Sequence, residues 1–340
     1  MISVGVIGFG YWGPNLARNF DEASGSHLIA VSDLQEERLA QVRARYPLVT
    51  TATNYRDLIA DTSIDAIAVA TPLRSHFKLA MEALQAGKHV LIEKPFTENS
   101  QQAIQLIEEA SRRNLVLMVD HTFVYTGAVR KIRELLGRNE LGQLYYYDSV
   151  RVNLGLFQHD MSVIWDLAVH DLAIMDYLLP IQPSFVSATG MSHFSHGSED
   201  IAYLTLFFKG DLIAHVHVNW LAPVKVRRTL IGASCKMIVY DDLEPSEKIK
   251  LYDKGIAING QEKYRVLIGY RTGDMWAPQV DLTEALRTEV DHFLHCIERS
   301  ETPITGGEAG LRVVRLLEAA TRSVTEQGRP VQVSHCATKS

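Results

Sequence analysis

Cysteine is scarce in this chain and carries no pattern. Cys235, Cys296 and Cys336 are odd in number and widely spaced, so they form neither a disulfide framework nor a CxxC metal site. A reducing compartment, the cytoplasm, is the expected location. An excess of basic charge is also missing. The formal net charge of −6 argues against a protein built chiefly to bind nucleic acid or an anionic membrane. No apolar run approaches the roughly 20 residues of a membrane span. The opening MISVGVIGFG lacks the basic region, apolar length and cleavage site of a signal peptide, and reads instead as a strand. Internal repeats and low-complexity tracts are absent too. What remains is a chain of 340 residues, 46% hydrophobic and 22% charged, with the composition of a soluble globular protein and the length for two domains.

Up to about residue 119, short β-branched runs alternate with amphipathic stretches. The runs Ser3–Ile7, Leu28–Ser32, Ala66–Ala70, His89–Ile92 and Val116–Val119 are separated by helical patterns at about 13–23, 35–45, 74–86 and 99–113. Continuous apolar strands alternating with helices predict a parallel sheet covered on both faces, a doubly wound α/β domain over residues 1–120. After Asp120 the rhythm changes. Helices at about 127–137 and 162–178 flank the run Gln143–Asn153. Strands then follow strands: Phe185–Met191, Ile201–Phe208, Leu212–Trp220, Lys225–Ile231 and Lys236–Tyr240, with a hairpin turn at Gly210–Asp211. That succession predicts an α+β domain with an antiparallel sheet over residues 121–330, closed by helices at about 281–299 and 306–327, with 331–340 as a tail. Leu204, Leu206 and Phe208 alternate with Tyr203, Thr205 and Phe207, so both faces of that sheet carry apolar residues. One face covers the domain's own helices; the other calls for a partner, as in a homodimer or homotetramer.

The first strand runs into Gly8-Phe9-Gly10-Tyr11-Trp12-Gly13 and then a helix. GxGxxG in that context lets a pyrophosphate approach the backbone and meet the helix N-terminus. Asp33 ends the second strand, twenty residues after Gly13, where a carboxylate hydrogen-bonds the ribose of NAD and repels the 2′-phosphate of NADP. A glycine turn of unrelated use, with Asp33 capping the next helix, is the competing reading. Leu34, rather than arginine, follows Asp33; an Arg38 side chain reaching back is what would weaken the preference for NAD. Thr71-Pro72 with His76, and Glu93-Lys94-Pro95, lie just past strands, on the carboxyl edge where doubly wound sheets bind ligands. His76 is open to reading as a cap or surface histidine, and Lys94 as a solvated lysine paired with Glu93. Within the helix WDLAVHDL, residues 165–172, Asp166 and His170 are four residues apart and share a face. A helix-dipole carboxylate and a core histidine would also account for them.

Together these pieces resemble the glucose-fructose oxidoreductase/inositol dehydrogenase (Gfo/Idh/MocA) family over essentially the whole chain. Gly8, Gly10, Gly13, Thr71-Pro72…His76, Glu93-Lys94-Pro95 and Asp166…His170 carry the likeness. The resemblance implies an N-terminal Rossmann domain joined to an α+β domain with an open, mostly antiparallel sheet. It implies NAD as cofactor, NADP being disfavoured by Asp33. It also implies that Lys94, Asp166 and His170 meet at the nicotinamide. The cofactor would be held by Gly8, Phe9, Gly10, Tyr11, Trp12, Gly13, Asp33, Thr71, Pro72, His76, Glu93 and Lys94. In the stretch His121-Thr122-Phe123-Val124-Tyr125, Val124 stands where the family often has arginine, which leaves the sugar contacts there open. Tyr125, Arg151, Asn153, Gln158 and His159 are candidate substrate contacts, alongside Lys94, Asp166 and His170; those five read equally well as solvent-exposed polar surface. The run Asn153–Gln158 leading to Trp165-Asp166-Leu167 looks most like the family's nucleotide-sugar dehydrogenases.

The expected activity is hydride transfer between NAD and a secondary alcohol of a sugar or nucleotide sugar, with C3 of a UDP-sugar as one case. His170 would act as base, Lys94 would steady the alkoxide and Asp166 would orient them. Metal is not expected. The histidines show no ligand spacing, and His215 and His217, alternating on one strand, read as sheet residues. A dinucleotide-binding regulatory protein without catalysis and an NADPH-dependent imine or tetrapyrrole reductase share the fold. A regulator has no need of Lys94, Asp166 and His170 together, and Asp33 counts against the second.

Overall fold

A computed structural model describes residues 1–155, 161–194, 197–259 and 267–334. The chain divides into two units, Met1–Tyr125 with Thr283–Arg315, and Thr126–Leu282 with Leu316–Ser340.

The first unit opens β1 (Ile2–Ile7), α1 (Gly13–Glu22), β2 (Ser26–Ser32), α2 (Glu36–Arg45), β3 (Thr50–Ala52) and α3 (Tyr55–Ala60). It continues β4 (Ala66–Val69), α4 (Leu73–Gln85), β5 (His89–Glu93), α5 (Ser100–Arg113) and β6 (Leu117–Asp120). The strands form one parallel sheet in the order β3-β2-β1-β4-β5-β6. Every residue of β4 is buried, as expected of a strand covered by helices on both faces. The order reverses between β1 and β4, so a crevice opens at their carboxyl ends. β3 and α3 have no counterpart in the sequence reading, because three residues of strand and six of helix are too short to show a period.

The second unit contributes α6 (Gly127–Gly137), β7 (Leu144–Leu154), α7 (Val169–Leu178), β8 (Phe185–Met191), β9 (Ile201–Phe207) and β10 (Ile213–Asn219). β11 (Leu221–Ala233), β12 (Met237–Asp241), β13 (Ile249–Asn259) and β14 (Leu267–Trp276) follow. With β15 (Val331–Gln332) they form one open sheet, ordered β14-β13-β12-β11-β7-β10-β9-β8-β15. All neighbours are antiparallel except β7 and β10. On β9, Ala202, Leu204 and Leu206 are fully buried while Tyr203 and Phe207 stay exposed, so the alternation read from the sequence separates a covered face from an open one.

Two helices close the chain, α8 (Ala285–Arg299) and α9 (Gly307–Thr325). The division at 121–330 is corrected here. Thr283–Arg315 packs with the first unit, through a forked Arg18–Glu284 pair at 2.6 and 3.0 Å and an edge-on Phe20–Phe293 contact. Thr305 also exchanges hydrogen bonds with Val119. Helical periodicity gives α8 an apolar stripe but does not say which sheet the stripe covers. Val331 and Gln332, expected within the tail, pair with β8, and Val331 and Val333 are buried. No helix among the described residues is long and apolar enough to cross a membrane.

Candidate active site

In the first unit, β1 ends at the glycine turn. Gly8 has φ +98°, and a Cβ on it would sit 2.4 Å from the Ala70 carbonyl oxygen. A Cβ on Gly13 would lie 2.1 Å from the Gly8 carbonyl oxygen. Only glycine closes this turn. Trp12 takes the N-cap position of α1 without capping it through its own side chain, and Pro14 occupies the first turn. The helix N-terminus therefore keeps N–H groups for an anion. The turn has the shape a pyrophosphate requires, so Gly8, Phe9, Gly10, Tyr11, Trp12 and Gly13 fit a dinucleotide.

Asp33 is buried, between the glycine turn and the start of α2. Its Oδ1 accepts the Gln35 N–H at 2.9 Å, ahead of α2. Its Oδ2 accepts the Phe9 N–H at 2.7 Å, tying β2 to the glycine turn. Arg38 does reach back, donating to Oδ2 at 3.2 Å. The same guanidinium lies 3.5 Å from where a Cβ on Gly10 would be. With Asp33 facing a ribose, Arg38 would offset part of the repulsion of a 2′-phosphate. NAD is expected to bind more tightly than NADP, and Arg38→Ala to weaken NADP at least about tenfold while leaving NAD within about twofold. Fluorescence titrations at one ionic strength check this. Equal affinities in the wild type would remove Asp33 from control of the ribose.

The edge of β4 and β5 is braced by His76. Expected as a cofactor contact or a surface cap, it is instead buried, with Nδ1 2.9 Å from the Pro95 carbonyl and Nε2 2.7 Å from the Thr71 carbonyl. It stitches Thr71-Pro72 to Glu93-Lys94-Pro95. Burial pushes its pKa down, against the pull of those carbonyls. A neutral ring donates to only one of them. Lys94 follows β5, half-buried, with a cis peptide to Pro95. Burial, reinforced by the Asp120 charge, holds the Glu93 carboxyl well above its usual range even with the Lys94 cation beside it. Tyr125 is not available as a substrate contact: it is buried, and its hydroxyl is shared with Thr305 Oγ1 at 2.9 Å.

In the second unit, the stretch expected as one helix from 162 begins with a π turn over Ile164–Ala168 before α7. Such wide turns recur at functional sites. Asp166 lies on the wide turn and His170 on the α-helix, so four-residue spacing alone no longer fixes their faces. Both are half-buried. The Trp220 indole donates to Asp166 Oδ2 at 3.2 Å, and the Trp165 indole to Thr321 Oγ1 at 2.9 Å. Arg151, expected at the substrate, is corrected to an interior role. It is buried on β7 and donates through Nε to Asp171 Oδ2 at 2.6 Å, while Ser149 Oγ donates to Asp171 Oδ1 at 2.6 Å. Asn153 is half-buried near the end of β7; Gln158 and His159 lie outside the described residues. His215 and His217 lie on the sheet, His215 Nδ1 3.6 Å from an Asp148 oxygen and His217 stacked on Tyr203. Among the described residues no three His, Cys, Asp or Glu side chains are grouped to hold a metal ion.

Sequence reasoning missed Asp171, Trp220 and two buried acids, Asp120 at the end of β6 and Glu289 on α8. Asp171 stands beside His170 in the quoted helix; an acid among apolar neighbours was its one signal.

A phosphate turn at the switch point, a carboxylate ending β2 and a lysine ending β5 define a dinucleotide-dependent oxidoreductase with an added α+β domain. Comparison with known proteins agrees. The oxidoreductase family with an NAD-binding Rossmann fold matches residues 2–121, and the C-terminal alpha/beta domain of that family matches 133–333. The chain belongs to the Gfo/Idh/MocA oxidoreductase family and is an NAD-binding dehydrogenase. It is 29% identical to UDP-N-acetylglucosamine 3-dehydrogenase of Acidithiobacillus ferrooxidans, across 91% of this chain and 93% of the relative. The solved structure of that enzyme superposes with a TM-score of 0.82 at 26% identity, covering 96% of this chain and 98% of the other. Myo-inositol 2-dehydrogenase of Thermotoga maritima is 23% identical across 95% of this chain and 96% of its own length.

Proposed function

We propose that the chain oxidises a secondary alcohol of a sugar or nucleotide sugar, with C3 of a UDP-sugar as the leading case, and that Lys94, Asp166 and His170 serve the same turnover. The observation that carries this is the state of the three residues. None is packed away as core and none is fully solvated, and a tryptophan buried to 1% exposure spends its only side-chain donor on Asp166. A purely structural helix start needs no such arrangement. In the reaction the substrate O–H bond breaks and its proton passes to His170. The C–H bond on the same carbon breaks with its electron pair, and a C=O bond forms. NAD held at the glycine turn would supply the acceptor for that hydride. Lys94 stabilises the developing alkoxide, and Asp166 orients the polar groups.

The relative acting on UDP-N-acetylglucosamine over nearly the full length supports a nucleotide sugar over a free one. NADH formation with UDP-N-acetylglucosamine, other UDP-sugars, their free sugars and inositols tests this. A kcat/KM at least about a hundredfold higher for a UDP-sugar than for its free sugar is expected, since a diphosphate adds several charge-assisted hydrogen bonds. Equal values would sink the nucleotide-sugar reading; no turnover with any would sink the activity.

The open face of the second unit's sheet, with Phe185, Tyr203, Phe207 and Ile213 exposed in adjoining strands, supports assembly with a second copy. Light scattering is expected to give a dimer or tetramer, and Phe207→Asp to shift it towards monomer. A strict monomer at micromolar concentration contradicts this.

A further inference from the structure

Glu289, on α8, is fully buried, and neither of its carboxyl oxygens meets a donor. An ionised carboxylate left that way is costly, and native chains seldom leave a buried polar group unanswered. Among the groups that act on it are two of like charge, Asp120 at the end of β6 and Glu93 at the end of β5; Thr122 and Tyr125, in the short 3₁₀ turn Thr122–Tyr125, lie close by. Glu93 and Asp120 face each other across adjacent strands. Three carboxyl groups thus converge at the carboxyl edge of the parallel sheet, and groups so close do not all ionise.

The donors identify the one that does. Asp120 Oδ2 accepts the Trp12 indole N–H at 2.6 Å, and Oδ1 accepts the Thr122 hydroxyl at 2.5 Å. Two donors on separate oxygens suit a carboxylate. Burial, then the Asp120 charge, raises Glu289 well above the ordinary range, and the same two causes raise Glu93, with the Lys94 cation opposing. Both glutamates are thus shifted towards their neutral forms. Trp12 is the N-cap residue of α1, within the glycine turn. Whatever fixes Trp12 therefore fixes the N–H groups offered to the pyrophosphate.

We infer that Glu289 is a positioning residue for the dinucleotide: as a neutral carboxylic acid it donates to Asp120, which in turn clamps the Trp12 indole and with it the phosphate turn. This rests on NAD binding and not on the sugar reading, so its test uses affinity in place of turnover. The neutral form persists to higher pH than in an ordinary glutamate and is lost as pH rises through the raised pKa. Two like charges then face one another, Asp120 is displaced and the clamp loosens.

NADH affinity is measured by fluorescence from about pH 6 to about pH 10 for wild type, Glu289→Gln and Glu289→Leu, with melting curves for each. The Trp12 indole N–H resonance is followed in the cofactor-free proteins. Wild-type affinity should fall at the alkaline end. In Glu289→Gln the carboxamide still donates to Asp120 but does not ionise, so affinity at neutral pH should stay within about twofold and the alkaline fall should vanish. Glu289→Leu should bind NADH about tenfold more weakly, about 1.4 kcal/mol or one hydrogen bond, and should shift the Trp12 resonance. If the leucine variant does not fold, the glutamine variant's pH profile decides. An alkaline fall in Glu289→Gln equal to the wild type's overturns the inference. So does a glutamine variant as weak as the leucine one.

Discussion

Lys94→Ala and His170→Ala should each fold, bind NADH with near wild-type affinity and lose at least about a hundredfold in hydride transfer, the low end for acid–base catalysis. Folding should survive because neither side chain is packed as core. Glu93 remains shifted upward, towards its neutral form, even beside the Lys94 cation. The double variant should lose much less than the product of the single losses, since groups acting on one proton transfer are not additive. Asp166→Asn should cost less, because the asparagine carbonyl still accepts the Trp220 indole. Single-turnover hydride transfer and melting curves on the same variants separate catalysis from structure. A destabilised yet fully active His170→Ala would end the catalytic assignment.

Much of this was legible in the sequence because the signals are local. The five longer strands of the parallel sheet and the helices between them announce themselves by period, and the glycine turn by spacing. Asp33 was placed correctly at the end of β2, and Arg38 was named as the side chain able to reach it. What stayed hidden depends on contacts distant in sequence. Arg151 and Asp171 are twenty residues apart, and nothing in RVN shows that the arginine points into the interior. Tyr125 is closed off by Thr305, 180 residues on. α8 joins the first unit through Phe20 and Arg18, contacts that no helical period encodes. The π turn was hidden for another reason: an extra residue in a helical turn leaves the apolar run WDLAVHDL unbroken to the eye.

Asp171→Ala should be the most destabilising of the substitutions considered. Asp171 and Arg151 are almost wholly buried, at 3% and 5% side-chain exposure, and Ser149 adds a third bond to the same carboxylate. Removing the acid takes the hydrogen-bonded carboxylate from a buried guanidinium, at a cost of about 3–5 kcal/mol. The unfolding transition of the second domain should fall by roughly 10 °C, given about 2–4 °C per kcal/mol for a domain of this size. Calorimetry of the whole chain resolves that transition where the two domains melt separately. Pairing Asp171→Leu with Arg151→Met removes both charges and should recover most of the loss, since a buried ion pair often adds little over apolar side chains of similar volume. Activity then shows what the pair is for. Asp171 adjoins His170 and pins the first turn of α7 to β7, so a double variant that melts like the wild type should still turn over several-fold more slowly, with NADH affinity unchanged. If it regains full turnover, the ion pair contributes stability alone, and His170 owes its position to the rest of the helix. A single Asp171→Ala variant that melts like the wild type would show that the pair holds nothing in place.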